Sequence, residues 1–84
     1  MSECISIIIS LCENCSENHI PEHIKLCKNY VFIKAPNDST ALTKLIEDIS
    51  RKTKTILVIT ERPRAQSIHE ILSKYFETIL YVLI

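Results

Sequence analysis

The chain has 84 residues, ten Lys and Arg against ten Asp and Glu, and a composition, 46% hydrophobic and 24% charged, that suits one globular domain over residues 1–84. A Gly count of 0 removes the glycine-rich loops that lay backbone N–H groups against a phosphate. The net charge of +0 gives no whole-molecule field for nucleic acid or an anionic membrane, although residues 1–24 carry four Glu and no Lys or Arg.

The first element is the β-branched run from Cys4 to Leu11, too short to cross a bilayer and preceded by no basic leader. The expectation is a soluble cytoplasmic protein with no membrane partner and its four Cys held as reduced thiols. Asn18 and Pro21 then open a short helix in which Ile20, Ile24 and Cys27 recur at i, i+4 and i+7, and Asn29 is placed to end it in the left-handed conformation. Tyr30 to Ile33 forms a second strand. Asp38 or Ser39 caps a second helix, whose apolar stripe is Ala41, Leu42, Leu45, Ile46 and Ile49 and whose Glu47/Arg51 and Asp48/Lys52 pairs stand at i, i+4. Thr55 to Thr60 is the third strand. The third helix opens near Pro63 or at the capping-box sequence Ser67-Ile68-His69-Glu70, and packs through Ala65, Ile68, Leu72, Tyr75 and Phe76. Thr78 to Ile84 is the fourth strand.

The order βαβαβαβ, with strands apolar enough to be buried on both faces, predicts a single small α/β domain: a four-stranded, mainly parallel sheet with three helices and right-handed connections. Such sheets bind ligands beyond the carboxyl ends of their strands. The loops 11–18, 34–39 and 60–64 therefore bring Cys12, Glu13, Cys15, Asn37, Asp38, Ser39, Glu61, Arg62 and Arg64 to one rim, and Lys52 and Lys54 fall on the opposite one.

Three chemistries are available on that rim. Cys12-Glu13-Asn14-Cys15 follows a strand and precedes a helix, the setting in which a C-x-x-C pair becomes a redox dithiol. This stretch alone resembles a thioredoxin-like motif, but Pro36 and Pro63 both follow strands, whereas that family has a hairpin with a Pro facing the thiols. Cys12, Cys15, His19 and His23 run C-x2-C-x3-H-x3-H, ligand types that suit zinc, with the single tight turn between the pairs weighing against it. Arg62 and Arg64 flank Pro63 at a helix start and, with Lys34, form a candidate anion clamp. Glu13, Asp38 and Glu61 are lone acids, Asp38 being a cap, and His69 has no nucleophile beside it.

The stretch Lys54-Thr-Ile-Leu-Val-Ile-Thr-Glu-Arg-Pro-Arg64 resembles the Toprim domain of primases and topoisomerases, where a strand ends in Asp-x-Asp-Arg before a helix. Glu61 stands at the first Asp, Pro63 replaces the second, Arg64 matches the Arg, and Ser10-Leu11 replaces that family's catalytic Glu and Gly. The resemblance implies a catalytically dead relative with a nucleic-acid or nucleoprotein partner. The resulting expectation is a non-enzymatic binding or assembly module without a cofactor, contacting nucleic acid weakly through Arg62, Arg64 and Lys34. The alternative is a thiol-redox protein on Cys12 and Cys15, or a zinc protein on those two with His19 and His23. Thr78 to Ile84, if it lies at the sheet edge, is expected to pair with its own copy in a homodimer.

Overall fold

The computed structural model describes residues 5–27 and 29–84; Cys4, where the first strand was expected to open, lies outside them. Four strands, β1 (Ile7–Ser10), β2 (Val31–Lys34), β3 (Thr55–Thr60) and β4 (Thr78–Leu83), form one sheet in the order β2-β1-β3-β4. Every neighbouring pair is parallel, with Ile8 opposite both Phe32 and Leu57 and Ile56 opposite Ile79. The helices are α1 (Glu22–Lys25), led by a 3-10 turn at Glu17–His19, α2 (Ser39–Ser50) and α3 (Arg62–Tyr75). The α/β class, the parallel sheet and the three helices follow the sequence reading. Among the described residues no helix is long and apolar enough to cross a membrane.

The strand order dictates the layers. The chain moves one way from β1 to β2 and the other way from β2 to β3 and on to β4, so connections of constant hand put α1 on one face and α2 with α3 on the other. Side-chain alternation agrees. Ile7, Ile9, Ile56 and Val58 pack with Leu42, Ile46, Ile49, Ile68, Leu72 and Phe76, while Ile8, Leu57 and Ile59 pack with Cys12, Cys15, Ile20 and Ile24. The second cluster rests under a helix of four residues only, so that face is thinly covered. Burial on both faces holds for the central strands β1 and β3 but not for β2 and β4, the edges, where every residue is half-buried or exposed.

Several local expectations change. Ser16, not Asn18, caps the turn before α1: its hydroxyl accepts from the Asn18 N–H, and the His19 ring accepts from the Ser16 N–H at 3.2 Å. Pro21 stands at the N-cap of α1. Asn29 is not left-handed, because no described residue has positive φ. In α2, Asp38 is the cap, its carboxylate accepting from the Ala41 N–H at 3.0 Å. The two expected i, i+4 ion pairs are replaced by Arg51 with Asp48 at 3.9 Å, one turn back, and Glu47 instead accepts from the Tyr75 hydroxyl at 3.3 Å, tying α2 to α3. Helix α3 opens at Arg62 with Pro63 in its first turn, where the missing N–H has no partner to lose.

Two outcomes are expected from these contacts. Asp38→Ala leaves the first-turn N–H groups of α2 without their acceptor and lowers the unfolding free energy by about 1 kcal/mol, read as a fall in the urea midpoint at constant m. The hydroxyls of Tyr75 and Tyr81 are both held above the ordinary tyrosine range, in each case chiefly by desolvation, with Glu47 adding to the effect on Tyr75. Because the folded chain holds these protons more tightly than the unfolded one, their contribution is fully present below the ordinary tyrosine range and is lost as pH rises through the raised values. Stability measured across the alkaline range therefore falls, and falls less in the Tyr75→Phe, Tyr81→Phe double variant.

Candidate functional site

In this strand order the connections part between β1 and β3, and a crevice opens there beyond their carboxyl ends. Both central strands end in a small polar residue, Ser10 and Thr60, and both are buried. The backbone leaving β1 is tied from three sides. The Leu11 N–H donates to the Ile59 carbonyl at 2.9 Å, the Ala35 N–H donates to the Ser10 carbonyl at 2.8 Å, and the Arg64 guanidinium donates to the Leu11 carbonyl. Arg64 thus reaches from α3 across the crevice to the first residue after β1.

The next four residues form a closed turn. The Cys15 N–H donates back to the Cys12 carbonyl at 3.3 Å, and the Ser10 hydroxyl donates to the same carbonyl at 3.4 Å. The Cα atoms of Cys12 and Cys15 are 5.3 Å apart, inside the span a disulfide requires, and the two sulfurs meet in bonding contact. The two cysteines expected as separate reduced thiols are thus placed close enough to join. On the far side of the turn the Lys34 ammonium donates to the Glu13 carbonyl at 3.4 Å. Two side chains singled out as an anion clamp, Lys34 and Arg64, thus bracket the cysteine turn as backbone struts, while Arg62 is exposed and makes no hydrogen bond or ion pair among the described residues.

Two clefts open onto this turn. One, of about 180 Å³, is lined by Ser10, Cys12, Glu13, Lys34 and Asn37; the other, of about 400 Å³, is lined by Cys12, Glu13, Asn37, Glu61 and Arg64. Cys12 lines both and Cys15 neither. Cys15 is 3% exposed and lies in the apolar cluster with Ile20 and Ile24.

The remaining candidates are not brought together. His19 is engaged in its cap, His23 stands exposed on α1, and among the described residues no three His, Cys, Asp and Glu side chains are grouped to hold a metal ion. Glu61 is the exposed N-cap residue of α3 and makes no side-chain cap. His69 donates to, or accepts from, the Tyr81 hydroxyl at 2.7 Å on the other flank of α3. Ser10 was not among the residues the sequence placed on the rim. Its only signal was a hydroxyl interrupting an Ile-rich run at a strand end. Comparison with family models, with curated proteins and with solved structures finds no match for this chain.

Proposed function

We propose that the protein is a small dithiol–disulfide module in which Cys12 is the attacking thiol and Cys15 the resolving one. The observation that carries this reading is the position of the pair: both sulfurs in contact beside the crevice beyond the carboxyl ends of β1 and β3, with Cys12 and not Cys15 lining the two clefts there. A purely structural cross-link is the competing explanation, and magnitude disfavours it. Closing a loop of four residues restrains the unfolded chain by about 2 kcal/mol on the loop-entropy relation, against about 4.7 kcal/mol for a hundred-residue loop.

The chemistry is thiol–disulfide exchange. The Cys12 thiolate attacks one sulfur of a partner disulfide, the partner's other sulfur leaves as thiolate and takes a proton, and Cys15 then attacks Cys12 to release the partner as a dithiol. No long helix begins at the pair to favour the thiolate with its N-terminal field, since a 3-10 turn and a four-residue helix follow it. The guanidinium of half-buried Arg64 is the cation that takes its place, with exposed Lys34 a screened second. Glu13 and Glu61 oppose them from exposed positions.

The binding-module reading, with nucleic acid on Arg62, Arg64 and Lys34, has less support, because two of its three cations already hold backbone carbonyls. The assignment is tested with an aromatic disulfide reagent on the reduced protein, with peptide masses locating each adduct. Wild type is expected to release two equivalents from this pair and close to the Cys12–Cys15 disulfide, Cys15→Ser to retain a stable adduct on Cys12, and Cys12→Ser to leave Cys15 slow. Equal rates at the two sites, or no reaction at either in the folded chain, would falsify it.

A further inference from the structure

Strand β4 stands at one end of the sheet order and, among the described residues, has no neighbour on its outer side. Which of its backbone groups are open follows from the register. The N–H of Thr78 donates to the Lys54 carbonyl and that of Ile84 to the Thr60 carbonyl, so the even-numbered residues turn their polar backbone toward β3. The odd-numbered residues Ile79, Tyr81 and Leu83 therefore present both N–H and C=O to the open side. The usual protections of an edge are missing: from Thr78 to Leu83 there is no Pro and no Lys, Arg, Asp or Glu, and all six residues run in unbroken register with β3. The apolar side chains flanking the edge stand out of the core, Leu80 at 43%, Leu83 at 45% and Ile84 at 49% exposure. The other edge, β2, is four residues long and ends on the exposed cation Lys34.

We infer that β4 pairs with β4 of a second copy in an antiparallel ladder about a two-fold axis through Tyr81. A two-fold axis that joins two sheet edges stands perpendicular to the sheet and sets one residue opposite itself. Centred on Tyr81, that symmetry makes Tyr81 face the partner's Tyr81 and Ile79 face the partner's Leu83, and every one of these is a hydrogen-bonded position. All three open residues of each copy are then satisfied, which centring on Leu80 or Val82 does not achieve. Leu80 comes opposite the partner's Val82 at a close, non-hydrogen-bonded position, on the face that α1 covers thinly. The strand has no charged side chain, so the pairing brings no like charges together; a charged partner strand would find no counter-charge. This interface is independent of the dithiol reading.

Sedimentation in reducing buffer at tens of micromolar, with amide exchange followed residue by residue, tests the interface while excluding disulfide-linked dimers. Wild type is expected at twice the 9.7 kDa chain mass, with the amides of Ile79, Tyr81 and Leu83 protected as well as those of Leu80 and Val82. Leu83→Pro removes an outward N–H without breaking a bond to β3 and is expected to give a folded monomer. A monomeric wild type, fast exchange at the three odd-numbered amides, or a folded Leu83→Pro dimer of unchanged strength overturns it. If the Pro variant does not fold, the wild-type mass and exchange pattern decide. Reagent reactivity at Cys12, read separately, is unaffected by either result.

Discussion

Replacing Ile46 with alanine is expected to lower the unfolding free energy by about 2–5 kcal/mol. Ile46 is 1% exposed and stands at the centre of the α2 stripe, packed among residues of β1, β3 and α3. A chain of this length has a net stability on the order of 4–12 kcal/mol, so one such cavity removes a large share of it. The size of the loss reports the layer that α2 forms over the sheet. Ile71→Ala, on the partly exposed side of α3, serves as the contrast and is expected to stay within about 0.5 kcal/mol. Urea unfolding measures both, and a loss below about 1 kcal/mol at Ile46 would mean that α2 does not close over β1 and β3 as described.

Arg64→Met is expected to have two effects that separate by measurement. The hydrogen bond from the guanidinium to the Leu11 carbonyl is lost, at a cost of about 1.5–3 kcal/mol for a bond from a charged donor, while the methionine keeps the apolar stem packed. The cleft that Cys12 and Arg64 both line also loses a cation, so the reaction of Cys12 with an alkylating reagent is expected to shift toward higher pH. Arg64→Lys keeps a charge but not the planar fork, and is expected to restore part of the pH profile and less of the stability. A stability loss with an unchanged pH–rate profile at Cys12 would reduce Arg64 to a backbone strut.

Much of the fold could be read from residue order because the central elements are governed by local pattern. The runs Ile7–Ile9 and Ile56–Ile59 and the stripe Leu42, Ile46, Ile49 have one period each and no competing interpretation. The edges misled for a physical reason: Val31–Ile33 and Thr78–Ile84 are as apolar as the central strands, and exposure depends on strand order, which periodicity does not contain. Before α1, Asn18 was read as the cap, whereas Ser16, two positions earlier, holds that place by accepting from the Asn18 N–H. At the site, the C-x-x-C motif was plain, as was its rim. The strut from Arg64 to Leu11 joins residues 53 apart, and Glu47 left its expected partner for a tyrosine 28 residues away. Such contacts are set by tertiary packing rather than by neighbours in the chain.

The measurement that bears most directly on the dithiol is equilibration of the whole chain in thiol–disulfide buffers of stepped potential, followed by acid trapping, alkylation and peptide mass analysis. A reversible two-electron couple confined to Cys12 and Cys15 is expected, between about −270 and −120 mV, where exchange-active dithiols fall. A pair that stays oxidised below about −300 mV, or thiols that never join to each other, would contradict an exchange role at this crevice.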